Sequence, residues 1–145
     1  MSELQGAHVD PDCLFCKIVA GELPGEIIDS DAKTVAFMDI NPATPGHALV
    51  IPRAHSKDLM EISDEDLAAC TIAARRLAKT MSDTLDSEGF NVLNCCGTAA
   101  WQTVFHFHLH VVPRRNDDPL TLPWIPKPGD SGEIKEAASK IRGEG

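Results

Sequence analysis

The stretch Phe105-His106-Phe107-His108-Leu109-His110-Val111-Val112 alternates apolar side chains with histidine three times in succession. A period of two is that of a β-strand, so the three imidazoles share one face while Phe105, Phe107, Leu109 and Val111 line the other. The alternation predicts a half-buried strand over 104–112, with core on one side and chemistry on the other. Imidazole changes charge near neutral pH, and three adjacent rings cannot all be cations without mutual repulsion. The histidine face therefore calls for a phosphate-like ligand, a metal ion, or both. One ion cannot take all three: on a strand rising about 3.3 Å per residue, His106 and His110 stand about 13 Å apart, so at most two serve one metal.

Around that strand, 145 residues suffice for a single domain with a sizeable core. The formal net charge of -9 argues against a nucleic-acid or membrane surface, since both partners are anionic. No apolar run approaches a membrane span, and residues 1–11 are polar and acidic, unlike a secretory signal, so the cytoplasm is expected. Five cysteines, two of them adjacent, do not make a disulfide framework; they read as thiols or metal ligands.

The rest of the chain supplies partners for the strand. Residues 1–11 read as a loose start and 13–20 as a short helix. Strands over 26–29, 34–40 and 47–52, separated by turn formers, suggest an antiparallel meander. Ser63 with Asp66 resembles a capping box, and Leu67, Thr71, Ala74, Leu77, Met81 and Leu85 then recur at helical spacing until Gly89. A strand over 90–96 and a loop holding 97–100, facing the histidines, lead into 104–112. The tail over 114–145 is rich in proline, with a short helix over 133–142. The predicted class is α+β: an antiparallel sheet of about five strands with one long helix and short terminal helices.

With its approach, Gln102-Thr103-Val104-Phe105-His106-Phe107-His108-Leu109-His110-Val111-Val112 resembles the signature of the histidine triad (HIT) superfamily of nucleotide hydrolases and transferases. The resemblance extends through Cys13-Leu14-Phe15-Cys16-Lys17-Ile18, Phe37-Met38-Asp39-Ile40 and Pro45-Gly46-His47-Ala48-Leu49-Val50-Ile51-Pro52, and is closest to the bacterial Hint-like branch. It implies a HIT-like fold, a homodimer, a purine nucleotide or nucleotide conjugate as ligand, and attack by His108 on a nucleoside α-phosphate. The residues themselves agree: a neutral imidazole is a competent nucleophile when its other nitrogen donates a hydrogen bond that fixes the tautomer. His110 would steady the phosphate oxygens, Thr103 would hydrogen-bond the phosphate or guide a proton to the leaving group, and Gln102 is a second neutral donor. The loop over 97–101 holds no Lys or Arg, so protonated imidazoles are expected to supply the positive charge. By the resemblance, Asp39 accepts hydrogen bonds from ribose hydroxyls; the plain alternative is an aspartate that starts the Asn41-Pro42 turn. Phe15, Ile18, Leu23, Phe37 and Ile40 match family positions around the base, although apolar residues at such spacing are more often core.

Cys13-Leu14-Phe15-Cys16 has the spacing of a zinc half-site, and a lone CxxC needs two more ligands. Cys70 falls in the long helix, and adjacent Cys95 and Cys96 point to opposite faces of their strand. The resemblance implies that His55 and His106 complete a structural zinc site, with no organic cofactor; two reduced cysteines without metal are the alternative. His8 and His47 look incidental. Cys95 stands where many relatives carry Asn on the phosphate side of the nucleotide, and a bulge would bring Asn94 there instead. Trp101 replaces a residue that is often small, which would narrow the pocket or shift the leaving group. Three functions are consistent with these residues: a nucleotide hydrolase or transferase using His108, a nucleotide-binding scaffold with vestigial hydrolysis, and a hydrolase with zinc on the triad. Trp124 reads as packing on a dimer partner or on its own sheet.

Overall fold

Alternation and turn formers dictate the first half of the sheet. In the computed structural model, which describes residues 8–144, β1 (Ile27–Ser30), β2 (Thr34–Met38) and β3 (Ala48–Pro52) form the expected antiparallel meander. β4 (Gly89–Leu93) and β5 (Leu109–Arg114) complete a five-stranded sheet of order β1-β2-β3-β5-β4, antiparallel throughout. With α1 (Leu14–Val19), α2 (Asp64–Thr84) and α3 (Ser131–Arg142), the architecture is α+β. Residues 1–7 of the expected loose start lie outside the described residues. Among those described, no helix is long and apolar enough to cross a membrane.

Both faces of the sheet are covered. Ala36, Ala48, Val50, Leu109 and Val111 pack against Cys70, Ala73, Ala74, Leu77 and Met81 of α2. The alternate residues Val35, Phe37, Leu49 and Ile51 pack with Phe15 and Ile18 of α1. This double burial explains the unbroken apolar run of β3. The start of α2 is fixed by the Ser63 hydroxyl, which accepts the Asp66 N–H at 3.1 Å, and by three acidic residues facing the positive end of the helix dipole. The helix ends at Thr84, earlier than the expected stop at Gly89, because Asp86 takes a left-handed φ of 52° and turns the chain into β4.

Gly46 joins these parts. Its φ is +99°, and a Cβ there would lie 2.6 Å from Leu85 Cδ1 and 3.1 Å from Pro113 Cγ. Only glycine lets the turn before β3 sit under the ends of α2 and β5.

The sheet corrects two expectations. The strand expected over 104–112 begins only at Leu109, because the preceding residues spend their hydrogen bonds elsewhere: Phe107 N–H goes to the Ser56 carbonyl at 2.7 Å, and the His106 ring to that of Pro52 at 2.8 Å. Alternation of side chains nevertheless persists, with Phe107, Leu109 and Val111 on the α2 side. Phe105 departs from it, standing 39% exposed beneath the Lys57 ammonium. The strand over 90–96 likewise ends at Leu93, so Cys95 and Cys96 belong to the following loop and not to opposite strand faces. In the tail, α3 has no buried residue and Trp124 is exposed, so neither docks on its own sheet.

Candidate active site

The α1 face of the sheet carries the chemistry, because β2, β3 and β5 each present alternate residues there. Continuing Val35 and Phe37 outward on β2 reaches Asp39; Leu49 of β3 pairs with His110 of β5; and α1 lays Phe15 over the same face. These elements enclose a cavity of about 350 Å³, within the ~300–1,000 Å³ span of small-ligand sites. His108, His110, Thr103 and Asp39 line it, as do Phe15, Ile18, Leu23, Phe37 and Ile40. No Lys or Arg lines it.

Gln102, Cys95 and Trp101 are not among the lining residues. Gln102 is buried and spends its amide on loops: Nε2 donates to the carbonyls of Lys57 and Val104 at 2.9 and 3.1 Å, and Oε1 accepts the Gly97 N–H at 2.8 Å. It braces the loop that presents Thr103. Trp101, expected to narrow the pocket, is 69% exposed in a left-handed conformation at the end of the short 3-10 turn Thr98–Ala100. Cys95 is buried, and burial raises its thiol pKa. Asn94 instead makes the useful contact, its Nδ2 donating to the His108 carbonyl at 2.9 Å.

Hydrogen bonds fix the tautomers. The His108 Nδ1 atom lies 2.7 Å from the His106 carbonyl, which only accepts, so Nδ1 holds the proton and Nε2 keeps a free lone pair. Phe15 stands edge-on to this ring at 5.2 Å and to Phe37 at 5.2 Å, forming an apolar wall. Beside it, Ala43 N–H donates to His47 Nδ1 at 2.9 Å, which leaves the proton of His47 on Nε2. That atom lies 2.9 Å from His110 Nδ1 and 3.4 Å from Asp39 Oδ2. His47 therefore donates to His110, and His110 carries its proton on Nε2. Asp39 starts the turn through Asn41 N–H at 2.8 Å, as its plain alternative has it, and also lines the cavity.

His47, expected to be incidental, is thus hydrogen-bonded to His110 behind the cavity wall. Register was the missing signal, since alternation from Leu49 puts His47 beside His110 only once β3 is known to pair with β5. The protonated imidazoles expected around a phosphate are not charged in the ligand-free site. Burial lowers the pKa of His108, and lowers that of His110 to about 4 against a small opposing pull from Asp39. Burial lowers His47 as well, so the ligand-free rings are neutral near pH 7.

The first triad histidine stands apart from this cavity. His106 is fully buried, and its Nδ1 lies 3.4 Å from Cys13 Sγ, 3.5 Å from Cys16 Sγ and 3.3 Å from His55 Nδ1; Cys16 Sγ lies 3.5 Å from His55 Nδ1. Zinc bonds of about 2.3 Å to sulfur and 2.0–2.1 Å to nitrogen require tetrahedral ligand separations of about 3.3–3.8 Å, so these four atoms fit that ion. The Pro52 carbonyl holds His106 Nε2, directing Nδ1 at the cluster, and Cys16 N–H bonds to Cys13 Sγ at 3.3 Å. Without metal, burial lowers His106 to about 4 and raises Cys16 to about 11.

A family profile for the HIT domain matches residues 20–117. Among known proteins, the chain is 38% identical over 135 residues to adenosine 5'-monophosphoramidase hnt1 of Schizosaccharomyces pombe, covering 90% of this chain and 98% of that one. Among solved structures it resembles SMU.412c from Streptococcus mutans UA159, with a TM-score of 0.86 at 35% identity, over 93% of this chain and 86% of the other. A Zn-bound histidine triad family protein from Mycobacterium smegmatis superposes with a TM-score of 0.74 at 39% identity, over 92% of this chain and 98% of the other.

Proposed function

This chain belongs to the HIT family, and we propose that it is a nucleotide-binding hydrolase that cleaves a nucleoside α-phosphate bond through a nucleotidyl group carried on His108 Nε2. One observation carries the reading: the nucleophile candidate has its proton locked on Nδ1 by the His106 carbonyl and its free Nε2 in a cavity that ends in a carboxylate. Substrates of the nucleoside phosphoramidate or dinucleoside polyphosphate type fit it. The base lies against Phe15, Ile18, Leu23, Phe37 and Ile40, and Asp39 accepts from the ribose hydroxyls. With no cationic side chain on the cavity wall, the phosphate is met by the Nε2–H of His110 and the hydroxyl of Thr103.

In the first step, the His108 Nε2 lone pair forms a bond to the α-phosphorus as the bond to the leaving amine or phosphate breaks. A departing amine takes a proton from solvent water through the Thr103 hydroxyl, which accepts one proton as it gives one, while a departing phosphate leaves as the anion. In the second, water attacks the nucleotidyl-histidine, the N–P bond breaks with its electron pair returning to His108 Nε2, and the proton of the attacking water is released to solvent. Gln102 acts by bracing the Thr103 loop. Trp101 and Cys95, off the cavity wall, are left without contact to the reacting groups.

Cys13, Cys16, His55 and His106 would hold a structural zinc that staples α1 to the sheet, a closed shell with no position for substrate. Zinc shared by the three triad histidines is disfavoured by His106 facing the cysteines while His108 and His110 face the cavity; a metal at the cavity would fall instead to Asp39, His47 and His110, whose donor atoms lie within 4.8 Å of one another, and the chelator arm below tests for it. Thiolate ligands require reducing surroundings, which fits the cytoplasm. A second copy of the chain is the proposed cover for edge strand β4 and for the exposed Trp124, giving a homodimer.

The test is turnover of adenosine and guanosine phosphoramidates and dinucleoside polyphosphates, with and without a chelator, by wild type and His108→Asn. Chelator-resistant release of the nucleoside monophosphate that vanishes in the variant is expected. Binding without turnover in wild type would instead favour the scaffold reading, and immediate loss with chelator would favour zinc at the reacting centre.

A further inference from the structure

Three separate contacts converge on Asp10, upstream of the Cys13–Cys16 pair. Its carbonyl accepts the Cys13 N–H at 3.1 Å, and Oδ1 accepts the Asp12 N–H at 2.9 Å. Its remaining oxygen, Oδ2, lies 4.0 Å from His55 Nε2. That nitrogen is the one left over when His55 Nδ1 faces the two sulfurs and His106. His55 is itself tied to this segment, its N–H donating to the His8 carbonyl at 2.6 Å.

We propose that Asp10 is a positioning residue for the Cys13–Cys16–His55–His106 metal site, its carboxylate orienting His55 through Nε2 so that Nδ1 is presented to a zinc ion. The inference rests on the zinc reading above and adds a residue outside the four ligands. Its chemistry is that of a carboxylate behind a metal-bound histidine. A ring that ligates through Nδ1 keeps its proton on Nε2, and an anion facing that proton fixes the tautomer, stops ring rotation and makes Nδ1 a stronger donor. The opposite ligand, His106, already has such a partner in the Pro52 carbonyl; the His55 ring has the His8 ring edge-on at 5.3 Å, and its Nε2 faces the Asp10 carboxylate.

The experiment measures zinc affinity of the full chain by competition with a chromophoric chelator, and the absorption spectrum after Co²⁺ substitution. The chain is wild type, Asp10→Ala, Asp10→Asn, Asp10→Glu or Asp12→Asn. Asp10→Ala is expected to weaken zinc binding about 10- to 100-fold, the usual effect of removing such a partner. Asp10→Asn should fall between, Asp10→Glu should recover most of the affinity, and Asp12→Asn should bind as wild type does. The thiolate-to-cobalt absorption should persist in all at saturation. Zinc affinity within twofold of wild type in Asp10→Ala, or an equal loss in Asp12→Asn, would overturn the proposal alone. Failure of wild type to bind zinc would overturn both it and the zinc reading.

Discussion

Replacing His47 by alanine tests whether the second histidine pair sets the proton on His110. In the native site, Ala43 N–H fills His47 Nδ1, His47 Nε2–H fills His110 Nδ1, and the remaining N–H of His110 is aimed at the cavity. Alanine removes the 2.9 Å bond to His110 and leaves that Nδ1 unpaired. The ring is then free to move its proton to Nδ1, presenting a lone pair to the phosphate where a donor is needed. Loss of one donor to a developing oxyanion costs roughly 10²-fold in kcat, about 2.7 kcal/mol. Base contacts are untouched, and Asp39 keeps its bond to Asn41 N–H while losing the 3.4 Å contact to His47 Nε2, so KM should change much less than kcat. His47→Gln supplies an N–H at the reach of Nε2 and should recover much of the loss. The assay is steady-state hydrolysis of a nucleoside phosphoramidate, run below the melting temperature of each variant, since losing the buried bond also costs about 1 kcal/mol of stability. Turnover of His47→Ala within twofold of wild type, or His47→Gln no better than alanine, would refute the tautomer assignment.

Gly46→Ala should be among the more damaging single-atom changes, because the new Cβ meets Leu85 Cδ1 at 2.6 Å on a backbone of positive φ. A loss of about 2 kcal/mol or more in urea unfolding is expected, and a neutral result would contradict the close approach. Trp101→Gly should leave KM for the nucleotide within about twofold, while glycine relieves the left-handed backbone and raises the melting temperature slightly; a large rise in KM would place the indole in the pocket after all. Acid should destabilise the metal-free protein. His106 is held neutral with a folded pKa of about 4, so the unfolded chain binds the proton first as pH falls through about 6.5. Stability is complete above that value and is lost between about 6.5 and 4, with about 2 kcal/mol gone at pH 5 from this ring alone. Urea titrations in a chelator at pH 7.5, 6 and 5 measure it, and a flat profile would contradict buried neutral imidazoles.

Much of this was legible from residue order because the decisive features are periodic. Alternation in the histidine run put three imidazoles on one side of the chain, and apolar spacing after the Ser63 cap marked α2. The errors arose where contacts distant in sequence override local pattern. The run looks like an unbroken strand, but Ser56 and Pro52 capture Phe107 and His106 and delay the ladder to Leu109. His47 looked idle because its importance comes from the pairing of Leu49 with His110 across two strands. Trp101 and Gln102 lie next to the triad in sequence, yet one faces solvent and the other braces a loop. Asn94 reaches the triad through the His108 carbonyl, a contact that depends on where β4 stops. The charge state of the rings escaped composition altogether, since it follows from burial on a face that looked open.

The most direct measurement is rapid alkaline quenching of the protein with a nucleoside phosphoramidate labelled at the α-phosphate, followed by peptide mapping. A nucleotidyl group on His108, formed and discharged at the rate of turnover and missing in His108→Asn, is the expected result. Turnover with no covalent label, or with the label on His110, would contradict attack by His108 Nε2.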